Sequence, residues 1–174
     1  MTATPRHTAA TALAACAYVG TIVAANWAST HCPAVHLGPL IVPAGTVWAG
    51  CTFTLRDLLH DTLFARGLVV AIVVGAGLSW LLASPPIATA SVLAFAISEL
   101  LDTVVYARLR TRSRVQAVAG SNVAGLVVDS LVFVPLAFGS FAAVPGQILG
   151  KTIATGLTVV LVLSVRARRR AATR

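Results

Sequence analysis

Charge is what this sequence has least of. Asp, Glu, Lys and Arg together make 10% of its 174 residues, against about 25% in an ordinary soluble domain. A water-soluble fold of this length needs far more charge to cover its surface. That class is excluded, and lipid is left as the solvent for most of the chain. Lysine is reduced to one, Lys151, and acidic residues to five: Asp57, Asp61, Glu99, Asp102 and Asp129. No Gly-rich nucleotide loop is present, so nothing in the chain would hydrolyse ATP. Cysteine is scarce and odd in number (Cys16, Cys32, Cys51), with no metal spacing. Cys16 and Cys51 fall in apolar segments, where a free thiol behaves as a small hydrophobe, and they carry no signal of redox compartment. His31, Cys32 and His36 share one loop, which reads as solvated loop rather than metal site. No residue pattern asks for a cofactor.

Apolar sequence is what the chain has instead: 57% hydrophobic residues and a mean hydropathy of +0.89. Punctuation by Gly, Pro and Arg divides it into six runs, each near the roughly 20 residues a membrane helix needs. The expected spans are 8–29, 41–64, 68–83, 87–107, 115–138 and 146–165. The fold class expected is all-α, one transmembrane domain of six helices covering 1–174. Leu13-Ala14-Ala15-Cys16 imitates a lipoprotein cleavage box. The stretch before it is short and weakly apolar, and the apolar run continues past Cys16, so an uncleaved first span is expected.

The net charge is +8 and the pI about 11.1, which in a soluble protein would point to nucleic acid. Here the arginines lie between apolar runs. With the N-terminus placed in the cytoplasm, Arg6, Arg56, Arg66, the group Arg108, Arg110, Arg112, Arg114 and the arginine-rich tail all fall on the cytoplasmic side. The opposite loops, 30–40, 84–86 and 139–145, hold no Lys or Arg. Such one-sidedness requires an even number of spans. It predicts an inner-membrane protein with both termini cytoplasmic. Juxtamembrane arginines are accounted for by topology and anionic lipid, so no nucleic-acid partner is expected.

The acids are a different matter. All five lie within expected spans 2, 4 and 5, where a charge costs about 2.5–3.5 kcal/mol on insertion scales. Such groups face a bundle interior or a water-filled cavity, unless those near the cytoplasmic ends pair with Arg56, Arg66, Arg108 or Arg110. Helical spacing sorts them. Glu99, Asp102 and Tyr106 share one face of span 4. Asp57 and Asp61 share a face of span 2 with Phe53 and Gly50. Asn122, Leu126, Asp129 and Phe133 stripe span 5, and Gln147 and Lys151 stripe span 6. Span 1 adds Asn26 and Trp27. Lys151 lies inside a span and needs a carboxylate from another helix. Polar stripes on several helices describe a central pocket for a small polar molecule. An intramembrane enzyme is disfavoured, because the acids lack a Gly-flanked catalytic pair or a metal cluster. A channel is disfavoured because they form no selectivity ring.

Three blocks carry a family resemblance. The first is Ile87-Ala88-Thr89-Ala90-Ser91 leading to Glu99-Leu100-Leu101-Asp102-Thr103 and Tyr106-Ala107-Arg108-Leu109-Arg110. The second is Ser121 to Phe133 with Asp129-Ser130, and the third is Phe53 to Gly67 with Asp57 and Asp61. Together with Asn26 and Lys151 they resemble the VUT family, the queuosine precursor transporters; Arg56 and His60 beside Asp57 depart from its pattern. The resemblance implies uptake of a 7-deazaguanine such as preQ0, preQ1 or queuine. It also implies a fold related to the six-helix substrate-binding subunits of energy-coupling-factor vitamin transporters. Asp102 and Asp129 are the first choices for ligand hydrogen bonds. Glu99, Asn26, Ser121, Asn122, Gln147 and Lys151 follow, and Asp57 either touches ligand or tunes gating. One carboxylate can accept both N1–H and the exocyclic amine of a deazaguanine, a charge-assisted pair, while the ring stacks on an aromatic side chain. The alternatives are a carrier of a vitamin or other small molecule, and a capture subunit that works with an ATPase coupling module. Lipid contact is certain in each case, and a homo-oligomer remains open.

Overall fold

A computed structural model describes residues 5–60 and 65–172. Six helices run through it: α1 (Pro5–His31), α2 (Thr46–His60), α3 (Ala65–Leu82), α4 (Pro85–Leu109), α5 (Arg114–Phe138) and α6 (Val144–Ala172). A small antiparallel hairpin, β1 (Val35–Leu37) and β2 (Leu40–Val42), separates α1 from α2. Among the described residues, four helices are long and apolar enough to cross a bilayer: α1 over Thr11–His31, α4, α5 over Gln116–Phe138 and α6 over Val144–Val165. The apolar part of α3, Val69–Leu82, is shorter. Asp61 and the expected end of the second span, 61–64, lie outside the described residues.

Burial is inverted relative to a soluble protein. Large apolar side chains such as Val70, Val73 and Leu81 on α3 and Leu157, Val160 and Leu161 on α6 point outward, while Asn26, Arg56, Asp129, Gln147 and Lys151 are buried. Lipid solvates the first set without cost. The second set must find its partners inside the bundle. The chain is an all-α membrane protein.

Helix limits follow local chemistry. Ser84 caps α4, its hydroxyl accepting from the Ile87 N–H, with Pro85 in the first turn, where a missing N–H costs nothing. Ser113 caps α5 in the same way, and Gly139 ends it in the left-handed conformation at φ +70°. The sequence places Ile41 and Val42 at the start of a helix, whereas they form β2, and the helix begins at Thr46. Pro43 supplies no N–H, and the Gly38–Pro39 turn pairs Leu37 with Leu40. An apolar run this short is compatible with either strand or helix. β2 docks on the start of α6 so closely that a Cβ on Gly146 would lie 2.1 Å from the Ile41 carbonyl oxygen.

Two apolar clusters hold the bundle. One joins Ile87, Ala90 and Ala94 of α4 to Phe133 and Val134 of α5 and to Ala143 and Val144. The other joins Tyr18 of α1, Leu59 of α2 and Ala71 of α3. α4 and α5 form the most extensively packed pair. α2 lies along α1 and α6, and over its described length it makes no extended contact with α4 or α5. Lipid offers helices no hydrophobic reason to associate, so close approach of small residues does the work. At Gly50 of α2 a Cβ would meet the Ala154 Cβ at 2.6 Å and the Lys151 carbonyl at 2.9 Å.

Candidate functional site

All six helices contribute to one interior cavity of about 70 Å³, room for about five to seven waters. Its walls carry Tyr18, Asn26 and Ser29 from α1, Thr46, Thr52 and Phe53 from α2, Ile72 and Ala76 from α3, Ser91 and Phe95 from α4, Asp129 and Phe133 from α5, and Gln147 and Lys151 from α6. Aromatic rings and a few polar atoms converge on a small volume, the usual make-up of a small-molecule site.

The charged centre is Lys151, only 1% exposed, whose ammonium donates to Asp129 Oδ2. Phe53 and Phe133 flank that ammonium, their ring centroids 5.8 and 6.0 Å away. The ring faces add cation–π attraction in a desolvated setting. Asn26 is held in place by a hydrogen bond from its Nδ2 to Ser79 Oγ on α3, 3.0 Å.

Among the described residues, four buried side-chain polar atoms have no hydrogen-bond partner, and three of them belong to residues that line this cavity: Tyr18 Oη, Thr46 Oγ1 and Gln147 Oε1. Unsatisfied buried groups are rare in native folds, and each costs about 1–3 kcal/mol. Three such groups belong to residues of one cavity wall. The fourth is Asp102 Oδ1, which faces Gly125 across the α4–α5 seam and does not reach the cavity.

A second charged cluster lies below the first. Arg56 is 6% exposed. Its guanidinium donates to Glu99 Oε1 of α4, to Asn122 Oδ1 of α5 at 3.4 Å, and to Asp57 Oδ1 at 2.9 and 3.1 Å. It also lies 5.4 Å from the Phe53 centroid, so both cations approach the same ring.

Of the residues singled out from sequence, Asn26, Asp129, Gln147 and Lys151 come together on the cavity. Glu99, Asn122 and Asp57 gather around Arg56 instead. Ser121 is buried with its hydroxyl donating to the Val118 carbonyl, 3.4 Å, and with Asp102 it stands away from the cavity. Arg56, grouped by sequence with the membrane-edge arginines, is inside the bundle. Tyr18, Thr46 and Phe95 carry no charge and left no signal above ordinary helix composition. Among the described residues no group of three His, Cys, Asp or Glu side chains is placed to hold a metal ion.

Residues 43–167 match the family described as "putative vitamin uptake transporter". No curated protein and no solved structure matches the chain.

Proposed function

This chain belongs to the vitamin uptake transporter family, and we propose that it imports a small, flat, polar heterocycle of the 7-deazaguanine class across the cytoplasmic membrane. The observation that carries this reading is the set of unpartnered atoms of Tyr18, Thr46 and Gln147 around an aromatic cavity that holds one buried ion pair. A deazaguanine is rich in ring-edge donors and acceptors on a planar apolar body. Gln147 Oε1 accepts an N–H, the Tyr18 and Thr46 hydroxyls donate or accept, and Phe53 or Phe133 offers a stacking face. Asp129 keeps one oxygen for the amidine-like edge of the base while Lys151 retains the other. Asn26 completes the polar wall. Glu99, Asn122 and Asp57, tied to Arg56, act away from the ligand, as do Ser121 and Asp102. The chemistry is binding and release, with no bond made or broken.

The family description favours a vitamin as the second reading. The cavity suits a one- or two-ring solute rather than a large conjugated vitamin. Uptake separates the two. Radiolabelled preQ1 or queuine should accumulate in cells that cannot make the precursor and lack their own transporter, only when this chain is expressed. Excess unlabelled deazaguanine should compete, and vitamins should not. Accumulation equal to the empty vector, or competition by a vitamin alone, contradicts the deazaguanine reading.

A further inference from the structure

Arg56 does not line the cavity, yet its guanidinium has three side-chain partners, Asp57, Glu99 and Asn122. The cavity lining ends at Phe53 on α2 and at Phe95 on α4. The next turn of each helix carries Arg56 and Glu99, which pair with each other. Depth along the bundle agrees. Arg56 is ten residues from the start of α2, and Lys151 seven from the start of α6. Those starts are not level, because Gly50 of α2 packs on Ala154 and the Lys151 carbonyl of α6; Arg56 is six residues beyond Gly50, so it lies about 9 Å farther from the hairpin end than that contact.

The pair also bridges a gap. α2 lacks extended contact with α4 and α5, which pack chiefly on each other. Among the described residues, two charged ties cross between the α4–α5 pair and the helices facing it: Lys151 to Asp129 at cavity level, and Arg56 to Glu99 and Asn122 one level below. Asp57 belongs to the same helix as Arg56 and would travel with it. It accepts from both Nε and Nη2, so the guanidinium stays partnered when Glu99 leaves. Glu99 and Asp57 have side chains 33% and 49% exposed, so neither carboxylate is stranded in a dry interior by the change.

We propose that Arg56 and Glu99 form the latch of a gate, closing the cavity toward the end of the bundle that carries loop 110–113 and opening when Arg56 exchanges Glu99 for Asp57 alone. The latch rests on the cavity and not on which solute fills it, so its test needs no substrate. Cys16, Cys32 and Cys51 are replaced by Ser, and Ser91→Cys reports from the cavity wall. Thr111→Cys marks the face that carries loop 110–113. Labelling with a membrane-impermeant maleimide is timed in vesicles of each orientation. From the Thr111 face, Ser91→Cys should react slowly with the latch intact, and about tenfold faster or more once Glu99→Gln removes the charge-assisted bond. Glu99→Asp shortens the reach but keeps the charge. It serves wherever the Gln variant does not fold, and should accelerate labelling in the same direction. The exchange Arg56→Glu with Glu99→Arg should return the slow rate. Unchanged labelling in folded Glu99→Gln or Glu99→Asp protein, or fast labelling in a folded exchange variant, overturns the latch.

Discussion

Lys151 shows how far a single residue can be read before its surroundings are known. A lone lysine in the middle of an apolar run needs an acid, and it has Asp129 of α5. The same reasoning flags Asp102, which has the same charge in the same kind of run but faces Gly125 across a helix seam. Charge in a membrane span reports that a residue points inward; it does not report into which interface. Tyr18 and Thr46 are the reverse case. Hydroxyls are cheap to carry in a helix, so nothing in the sequence distinguishes one that faces a cavity from one bonded to its own backbone, as Thr21, Thr30 and Thr52 are. Because Asp129 neutralises Lys151, removing either partner leaves a buried charge alone, at about 3–5 kcal/mol. Lys151→Met should therefore lower the melting temperature sharply, and Lys151→Met with Asp129→Asn should recover much of the loss. A double variant as unstable as the sum of the two singles would show that the pair is not coupled.

At the scale of elements, the long apolar helices α1, α4, α5 and α6 were legible because length and hydropathy both mark them. α2 was harder to bound. Its polar side chains dilute the apolar signal, and the run before it belongs to the hairpin, where Pro43 and the Gly38–Pro39 turn override an apolar stretch that suits a helix equally well. The partners of α2 were not legible at all, since a glycine in a membrane helix marks a close approach without naming the other side. Gly50 meets Ala154 and the Lys151 carbonyl, and so sets the distance from α2 to the α6 turn that bears Lys151. Gly50→Ala should cost about 1–3 kcal/mol by overpacking, read as a lower melting temperature in detergent. Gly156→Ala on the same α6, where a Cβ would meet nothing within 4 Å, should show no loss. Equal effects of the two would remove the α2–α6 contact from the account.

For the whole molecule, the inversion of burial follows from composition alone, since a chain with 10% charge and 57% hydrophobic residues can be solvated only by lipid. The cavity does not follow from composition. It arises because α4 and α5 pack as a pair and α2 leans on α1 and α6, so that α2 reaches the α4–α5 pair through the Arg56–Glu99 ion pair, while Lys151–Asp129 adds to the packing of α6 on α5. The proposed latch acts on one of these ties, and exchange of Arg56 from Glu99 to Asp57 would shift which arrangement of the helices is populated. The central claim of the account is that the unpartnered polar atoms of the cavity-lining residues serve a ligand and not the fold. Affinity for preQ1 and melting temperature, measured on the same purified Tyr18→Phe and Thr46→Val variants, test this most directly. Each change removes an oxygen at nearly constant shape. The melting temperature should hold or rise, because an unsatisfied buried hydroxyl is gone, while affinity falls by about 2- to 12-fold per hydrogen bond lost. Unchanged affinity together with a lowered melting temperature would contradict the account.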